Sequence, residues 1–232
     1  MDKRRDLLDD PRLVTAQCIS LIPVETVHEN PWFSVRNRKG YFTIEDNMPQ
    51  VLILPIVNNN AIVMVRVERP VVADITLEIP AGGTKDGESP VEAASREMTE
   101  ETGISVSDLN RFQMLPPLIH MPRSPVLSYI FQVHLTQQEF DLRKKHNHEI
   151  TSVECFTFDD IFRKIAEGEI YIGLHIAVIV RYCIQNQSVG GIIKGVKNGN
   201  VSFFRQEKAK KIRKKDDIIV KKSNYNRSQG YT

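Results

Sequence analysis

Three glutamates, Glu97, Glu100 and Glu101, lie three and four residues apart inside the stretch LEIPAGGTKDGESPVEAASREMTEETGI, residues 77–104. On a helix this spacing gathers their carboxylates on one face. Like charges packed together repel, and Arg96, four residues before Glu100, offsets only part of that repulsion. An all-oxygen donor set of this kind suits a hard divalent cation, Mg²⁺ or Mn²⁺. For an isolated ExxEE the plainer alternative is a solvated acidic face.

The flanking residues supply the elements that would position those carboxylates. Leu77 to Ile79 reads as the end of a buried strand, and Pro80-Ala81-Gly82-Gly83 breaks it into a glycine loop. A second turn glycine, Gly87, precedes Ser89-Pro90-Val91-Glu92. Ser89 can cap a helix, Pro90 suits its first position, and Glu92 is where a capping-box carboxylate reaches back. Gly103 can end the helix in a left-handed conformation. The spacing therefore predicts a helix over Pro90–Thr102, with Val91, Ala94 and Met98 as its buried stripe.

Taken whole, the stretch Gly82, Glu88, Arg96-Glu97-Met98, Glu100-Glu101, Gly103-Ile104 matches every position of the pattern G-x5-E-x7-R-E-U-x-E-E-x-G-U, with U a bulky aliphatic. The chain thus resembles a Nudix hydrolase. The resemblance implies an α/β fold, an α/β/α sandwich around a mixed sheet, and metal-dependent cleavage of a pyrophosphate. It makes Glu97 and Glu101 the main metal ligands, with Glu100 and the Ala81 carbonyl assisting. Arg96 would hold the carboxylates in place, Glu88 would support them, and Gly82 would shape the loop. Val65 to Pro70 followed by Leu77-Glu78-Ile79-Pro80-Ala81-Gly82 is similar to a narrower group, the ADP-ribose and nucleoside diphosphate sugar pyrophosphatases. On that likeness Arg69 meets a phosphate or the terminal sugar, and Glu78 a substrate hydroxyl. The general base of such enzymes often lies on a loop ahead of a later strand. Here the loop is Lys144 to Glu149, and Glu149 is its carboxylate; relatives often carry two acidic residues there, where this chain has one flanked by His146 and His148.

Around this stretch, short strand-like runs from Cys18 to Glu45 suggest a small N-terminal antiparallel unit. Asn30-Pro31-Trp32-Phe33-Ser34-Val35 resembles the region that in many relatives reaches across a dimer, so a homodimer is expected. VLILPIV and AIVMVRV around Asn58-Asn59-Asn60 predict a hairpin. Phe112–Ile119, Ser128–Leu135 and Thr151–Phe158 read as strands, and Asp159–Glu167 and Gly173–Asn186 as helices. Ile192–Phe204 reads as a terminal hairpin. The expected organisation is a leader and β unit over 1–46, a catalytic domain over 47–204, and a basic tail over 205–232.

The 232 residues are 41% hydrophobic and 26% charged, an ordinary globular composition. The net charge of +2 hides an asymmetry: from Arg205 onward ten Lys/Arg face three Asp/Glu, so the body is mildly acidic and the tail basic. The tail reads as a solvated segment, with contact to RNA or to a second subunit as the other readings. No apolar run is long enough to span a bilayer. MDKRRDLLDD is unlike a secretory signal, and three scattered cysteines argue against a disulfide framework, so a cytoplasmic protein is expected. The function expected from the resemblance is hydrolysis of a nucleoside diphosphate sugar, ADP-ribose first. Rival readings are a different pyrophosphate (a dinucleotide, a nucleoside triphosphate or an RNA cap) and a module that binds nucleotide sugars without cleaving them.

Overall fold

In the computed structural model, residues 19–186 are described below. The leader, the expected hairpin over 192–204 and the basic tail lie outside them.

The chain begins with β1 (Val24–Glu29), β2 (Phe33–Arg38) and β3 (Tyr41–Asp46), an antiparallel three-stranded sheet of its own. Turn residues set its two corners: Asn30 Oδ1 accepts from the Trp32 and Phe33 N–H groups, and Asn37 Oδ1 from Gly40 N–H. The sheet is anchored to the body through Arg123. The Arg123 guanidinium lies 4.4 Å over the Tyr41 ring, and its carbonyl accepts from Ile44 N–H at 2.9 Å.

The main sheet has seven strands. The apolar runs form β4 (Gln50–Val57) and β5 (Ala61–Arg69), joined by the asparagine turn as expected. Asn58 and Asn59 both adopt positive φ there, which asparagine tolerates better than most residues. The two strands stay in register only beside the turn, at Ile56–Ile62 and Val57–Ala61. Beyond it they splay, and the next segment fills the gap: β6 (Asp74–Glu78) pairs with β5, and β7 (Ala81–Gly83) pairs with β4. The glycine stretch is therefore a short strand after Pro80, where the sequence suggested only a loop. Glycine carries little strand propensity, so the pairing partner Gln50–Leu52, far away in sequence, decides the outcome.

After β7 comes α1 (Pro90–Thr102), then β8 (Gln113–Ile119) and β9 (Leu127–Leu135). β9 runs parallel to β4, and β10 (Ile150–Thr157) is antiparallel to β5, giving the mixed order β10-β5-β4-β9-β8. Between β9 and β10 a short helix, α2 (Gln137–Asp141), carries a Thr136/Glu139 capping box. The sequence reading passed over it because five residues show no apolar period. Two helices close the described chain, α3 (Phe158–Glu167) and α4 (Gly173–Gln185).

Alternation along the strands makes the layers. Val51, Ile53 and Val63 pack with Ala93, Ala94 and Met98 of α1 on one face of the sheet. Leu52, Leu54, Ile62 and Met64 are buried on the opposite side, as are Ile161 of α3 and Val178 and Ile179 of α4. The Phe158 and Tyr182 rings, 6.0 Å apart, join the two C-terminal helices. The architecture is the α/β/α sandwich with an added β unit. No described helix is long and apolar enough to cross a membrane.

Candidate active site

The helix that carries the glutamates starts and stops where its residues dictate. Ser89 Oγ accepts from Glu92 N–H, the Glu92 carboxylate accepts from Ser89 N–H, and Gly103 ends the helix at φ +73°. A Cβ on Gly103 would also overlap the Lys144 carbonyl, so this glycine both ends α1 and lets a distant loop close against it. That loop is pinned in place. Lys144 N–H donates to the Gly103 carbonyl at 2.8 Å, and Asn147 N–H to the Glu100 carbonyl at 2.7 Å. Glu149, exposed, follows on the same loop, its N–H donating to Asn147 Oδ1.

The wedge Glu78–Gly83 lies against α1. Ile53 N–H donates to the Pro80 carbonyl at 2.8 Å, and Ala81 N–H donates to Glu101 Oε2 at 3.0 Å. Gly82 has a steric reason: a Cβ there would occupy the space of the Glu97 carboxylate.

Arg96 ties the motif together. Its Nε and Nη2 donate to Glu88 Oε1 and Oε2 at 2.8 and 2.9 Å. Its Nη1 donates to Glu97 at 2.6 Å and more weakly to Glu100 at 3.3 Å, and Nη2 also reaches the Gly83 carbonyl at 2.8 Å. The Arg96 fork holds the Glu88 carboxyl down at about 2. Lys85 Nζ, 3.6 Å from Glu100, adds a looser contact.

Glu101 is answered differently. It is 9% exposed, and burial, with the charges of Glu97 and Glu78 adding to it, pushes its carboxyl up to about 8 against a single bond from Ala81 N–H. Burial raises Glu97 as well, in spite of Arg96. Among the described residues no three acidic, histidine or cysteine side chains converge as a ready-made cation cage. The donor chemistry nonetheless fits a hard cation. Two carboxylates that resist ionising, one turn apart on α1, lie against a glycine strand, and oxygen is the only donor element.

A second ion pair borders this group. Arg69 Nε and Nη2 each donate to a different oxygen of Glu78 at 2.8 Å, and Thr76 Oγ1 also donates to Glu78. The Arg69 side chain is 47% exposed and that of Glu78 only 3%. Burial alone would raise the Glu78 carboxyl, but the bonds from Arg69 and Thr76 outweigh it and the carboxyl lies below the usual range. The bond from Glu78 raises Arg69, with smaller contributions from the charges of Glu101 and Glu149, so all four groups share one neighbourhood.

A model of the NUDIX domain matches residues 46–172, more than half of the chain. The chain belongs to the Nudix hydrolase family. No curated protein matches it significantly. Among solved structures it is similar to one described as "Crystal structure of ADP compounds hydrolase", with a TM-score of 0.50 and 20% identity over 72% of this chain and 94% of that one. At that identity the likeness is one of fold.

The Nudix site continues into a cavity of about 520 Å³ that opens beside Arg69 and Glu78. The end of β8 and the first turns of α4 line it. His175, in α4, is 6% exposed and accepts from Ile79 N–H through Nδ1 at 3.1 Å, fixing the centre of the wedge. Burial lowers its pKa to about 4, so the ring is neutral at neutral pH. The sequence reading missed His175, although one imidazole in the apolar run GLHIAVIV is a visible signal. Arg69 and Glu78, to which the resemblance gives separate substrate contacts, bind each other here.

Trp32 is 75% exposed among the described residues, and Phe33 meets the His28 ring at 5.9 Å.

Proposed function

We propose that this Nudix hydrolase cleaves the pyrophosphate of a nucleoside diphosphate sugar, ADP-ribose first, into a nucleoside monophosphate and a sugar phosphate, with Mg²⁺ or Mn²⁺. The observation that carries the reading is Glu101: a nearly buried carboxylate with no cationic side chain bonded to it among the described residues, one turn from Glu97 and next to the half-exposed Arg69. Glu97 and Glu101, with Glu100 and the Ala81 carbonyl, would hold the ion. When bound, it would draw charge from the phosphoryl oxygens and make water a better nucleophile at neutral pH.

The chain's own residues do the rest. Arg96 keeps Glu97 and Glu100 from drifting apart and ties them to Glu88 and the Gly83 carbonyl. Arg69, oriented by Glu78, binds a phosphate oxygen through the part of its fork that faces solvent. Glu149 takes the proton of the attacking water while the bridging P–O bond breaks, its loop held to the end of α1 by Lys144 and Asn147. The ADP-ribose assignment is supported by the LE-P-AG run and by Arg69 lying beside the carboxylates.

The test is a panel of nucleotide sugars, dinucleotides and nucleoside triphosphates with Mg²⁺, scored by product identity. ADP-ribose yielding AMP and ribose phosphate is the expected result. Glu101→Gln should cut turnover at least about a thousandfold while the fold stays intact, and full activity in that variant would remove the mechanism. We also propose a homodimer formed through the N-terminal sheet, where Val27, Trp32, Phe42 and Ile44 are exposed. A monomer by sedimentation equilibrium would sink that.

A further inference from the structure

We propose that His175 is a positioning residue for the cation end of the site: its imidazole fixes the point where the wedge leaves β5 for β4, and with it the Ala81 carbonyl beside Glu101. The inference rests on the Nudix reading for what Ala81 and Glu101 do, and adds a residue from another layer of the fold that sets where they do it. The ladder between β5 and β6 ends at Val65–Glu78, and the ladder between β4 and β7 begins at Leu52–Ala81. Ile79 and Pro80 belong to neither register. Pro80 has no N–H to satisfy, and its carbonyl accepts from Ile53 N–H at 2.8 Å. The Ile79 N–H is the donor left at the crossing, on a residue with no exposed surface. A buried amide without an acceptor is costly, so whatever answers this group decides whether the chain can cross here. The answer comes from α4: His175 Nδ1 accepts from it at 3.1 Å.

The ring has a second neighbour on the same segment. With Nδ1 accepting, the neutral imidazole carries its proton on Nε2, which lies 3.6 Å from Glu78 Oε2. That is too long for a hydrogen bond, but it sets the proton-bearing side of the ring against the carboxylate that holds Arg69 through two bonds of 2.8 Å. One side chain thus meets both the last residue of β6 and the first residue of the crossing. Two residues further on, Ala81 N–H donates to Glu101 Oε2 at 3.0 Å. Only Pro80 stands between Ile79 and Ala81, and its ring restricts the backbone, so a shift at Ile79 passes on to the Ala81 carbonyl. His175 is itself held by the core, as the third residue of α4, a helix that also buries Val178 and Ile179. An apolar side chain would suit the run GLHIAVIV but would leave the Ile79 amide unanswered. Groups that orient a metal's ligands without touching the ion change its affinity roughly 10–100-fold when they are removed.

Titration of the full chain with Mn²⁺, read from the electron paramagnetic resonance of the free ion, tests this without turnover. His175→Leu and His175→Asn have nearly the same shape, but only asparagine keeps an acceptor where Nδ1 lies. The leucine variant should bind Mn²⁺ at least about tenfold more weakly than the parent, and the asparagine variant within about threefold of it. Ile179→Val, one turn further along α4, controls for lost packing alone: it should lower the melting temperature and leave Mn²⁺ binding within about twofold. If the leucine variant does not fold, His175→Gln replaces it, since the longer amide carries its oxygen past the Nδ1 position, and it should weaken Mn²⁺ in the same way. Mn²⁺ binding unchanged in the variant that lacks the acceptor, or weakened equally by asparagine or by the valine control, overturns the proposal. The two readings fail separately. A chain whose Mn²⁺ binding follows the acceptor but which hydrolyses no nucleotide pyrophosphate keeps His175 and loses the reaction, whereas turnover with Mn²⁺ binding indifferent to the acceptor does the reverse.

Discussion

Two arginine–carboxylate clusters flank the glycine wedge, and they are balanced in opposite senses. On one side Arg96 is largely covered and bonds three glutamates and a carbonyl. On the other, Arg69 is half exposed and, among the described residues, bonded to Glu78 alone, while Glu101 nearby has only a backbone N–H from them. In the first cluster one guanidinium links every carboxylate, and so it holds shape. The second is short of positive charge inside and keeps a cation facing out, which is the arrangement a site needs before its ion and its anionic substrate arrive.

The comparison breaks first at Arg96. Arg96→Ala strands Glu97 and Glu100 on α1 and Glu88 on the loop before it, and should cost about 2–3 kcal/mol in denaturant unfolding. A loss under about 1 kcal/mol would mean that the cluster does not hold the helix. The next effect is on Glu101. Its folded pKa of about 8 lies above the unfolded value of 4.5, so the folded state holds a proton that the unfolded chain has already released. Without metal, stability should therefore fall as pH rises from about 4.5 to 8, by on the order of 4 kcal/mol. Mg²⁺ should restore most of it, raising the melting temperature far more at pH 8 than at pH 5. Glu101→Gln should flatten both the pH trend and the Mg²⁺ response, and a steep trend surviving in that variant would assign it to another group. The smallest effect falls on Arg69. Arg69→Lys keeps the charge but not the fork, and should raise KM about tenfold with kcat within twofold. A fall in kcat with KM unchanged would place Arg69 at the reacting atoms instead of at a bound phosphate.

Local rules account for what the sequence made legible. The bounds of α1 follow from Ser89, Pro90, Glu92 and Gly103, and the asparagine turn announces the β4–β5 hairpin. Glu97 and Glu101 are readable as a pair because helical period alone puts them on one side. What stayed hidden depends on residues far apart in the chain. Arg96 reaches back to Glu88 and Gly83, Gly103 makes room for Lys144, and His175 meets Ile79 across 96 positions. Ala81–Gly83 becomes a strand only because a splayed hairpin leaves an edge for it. None of these partners shows in a window of ten or twenty residues, which is why the motif was legible and the cavity beside it was not.

The hairpin has one further consequence. Its jaws meet only beside the Asn58–Asn60 turn, at Ile56–Ile62 and Val57–Ala61, and hold the wedge by opposite ends, β6 on one jaw and β7 on the other. Arg69 rides on the first jaw, and Ala81, bonded to Glu101, on the second. On the proposed roles, the aperture of a turn distant from the chemistry sets the span between the group that would grip the substrate and the group that would work on it. A relative that opened or closed this angle by a few degrees would accept a longer or shorter molecule with every reacting side chain unchanged.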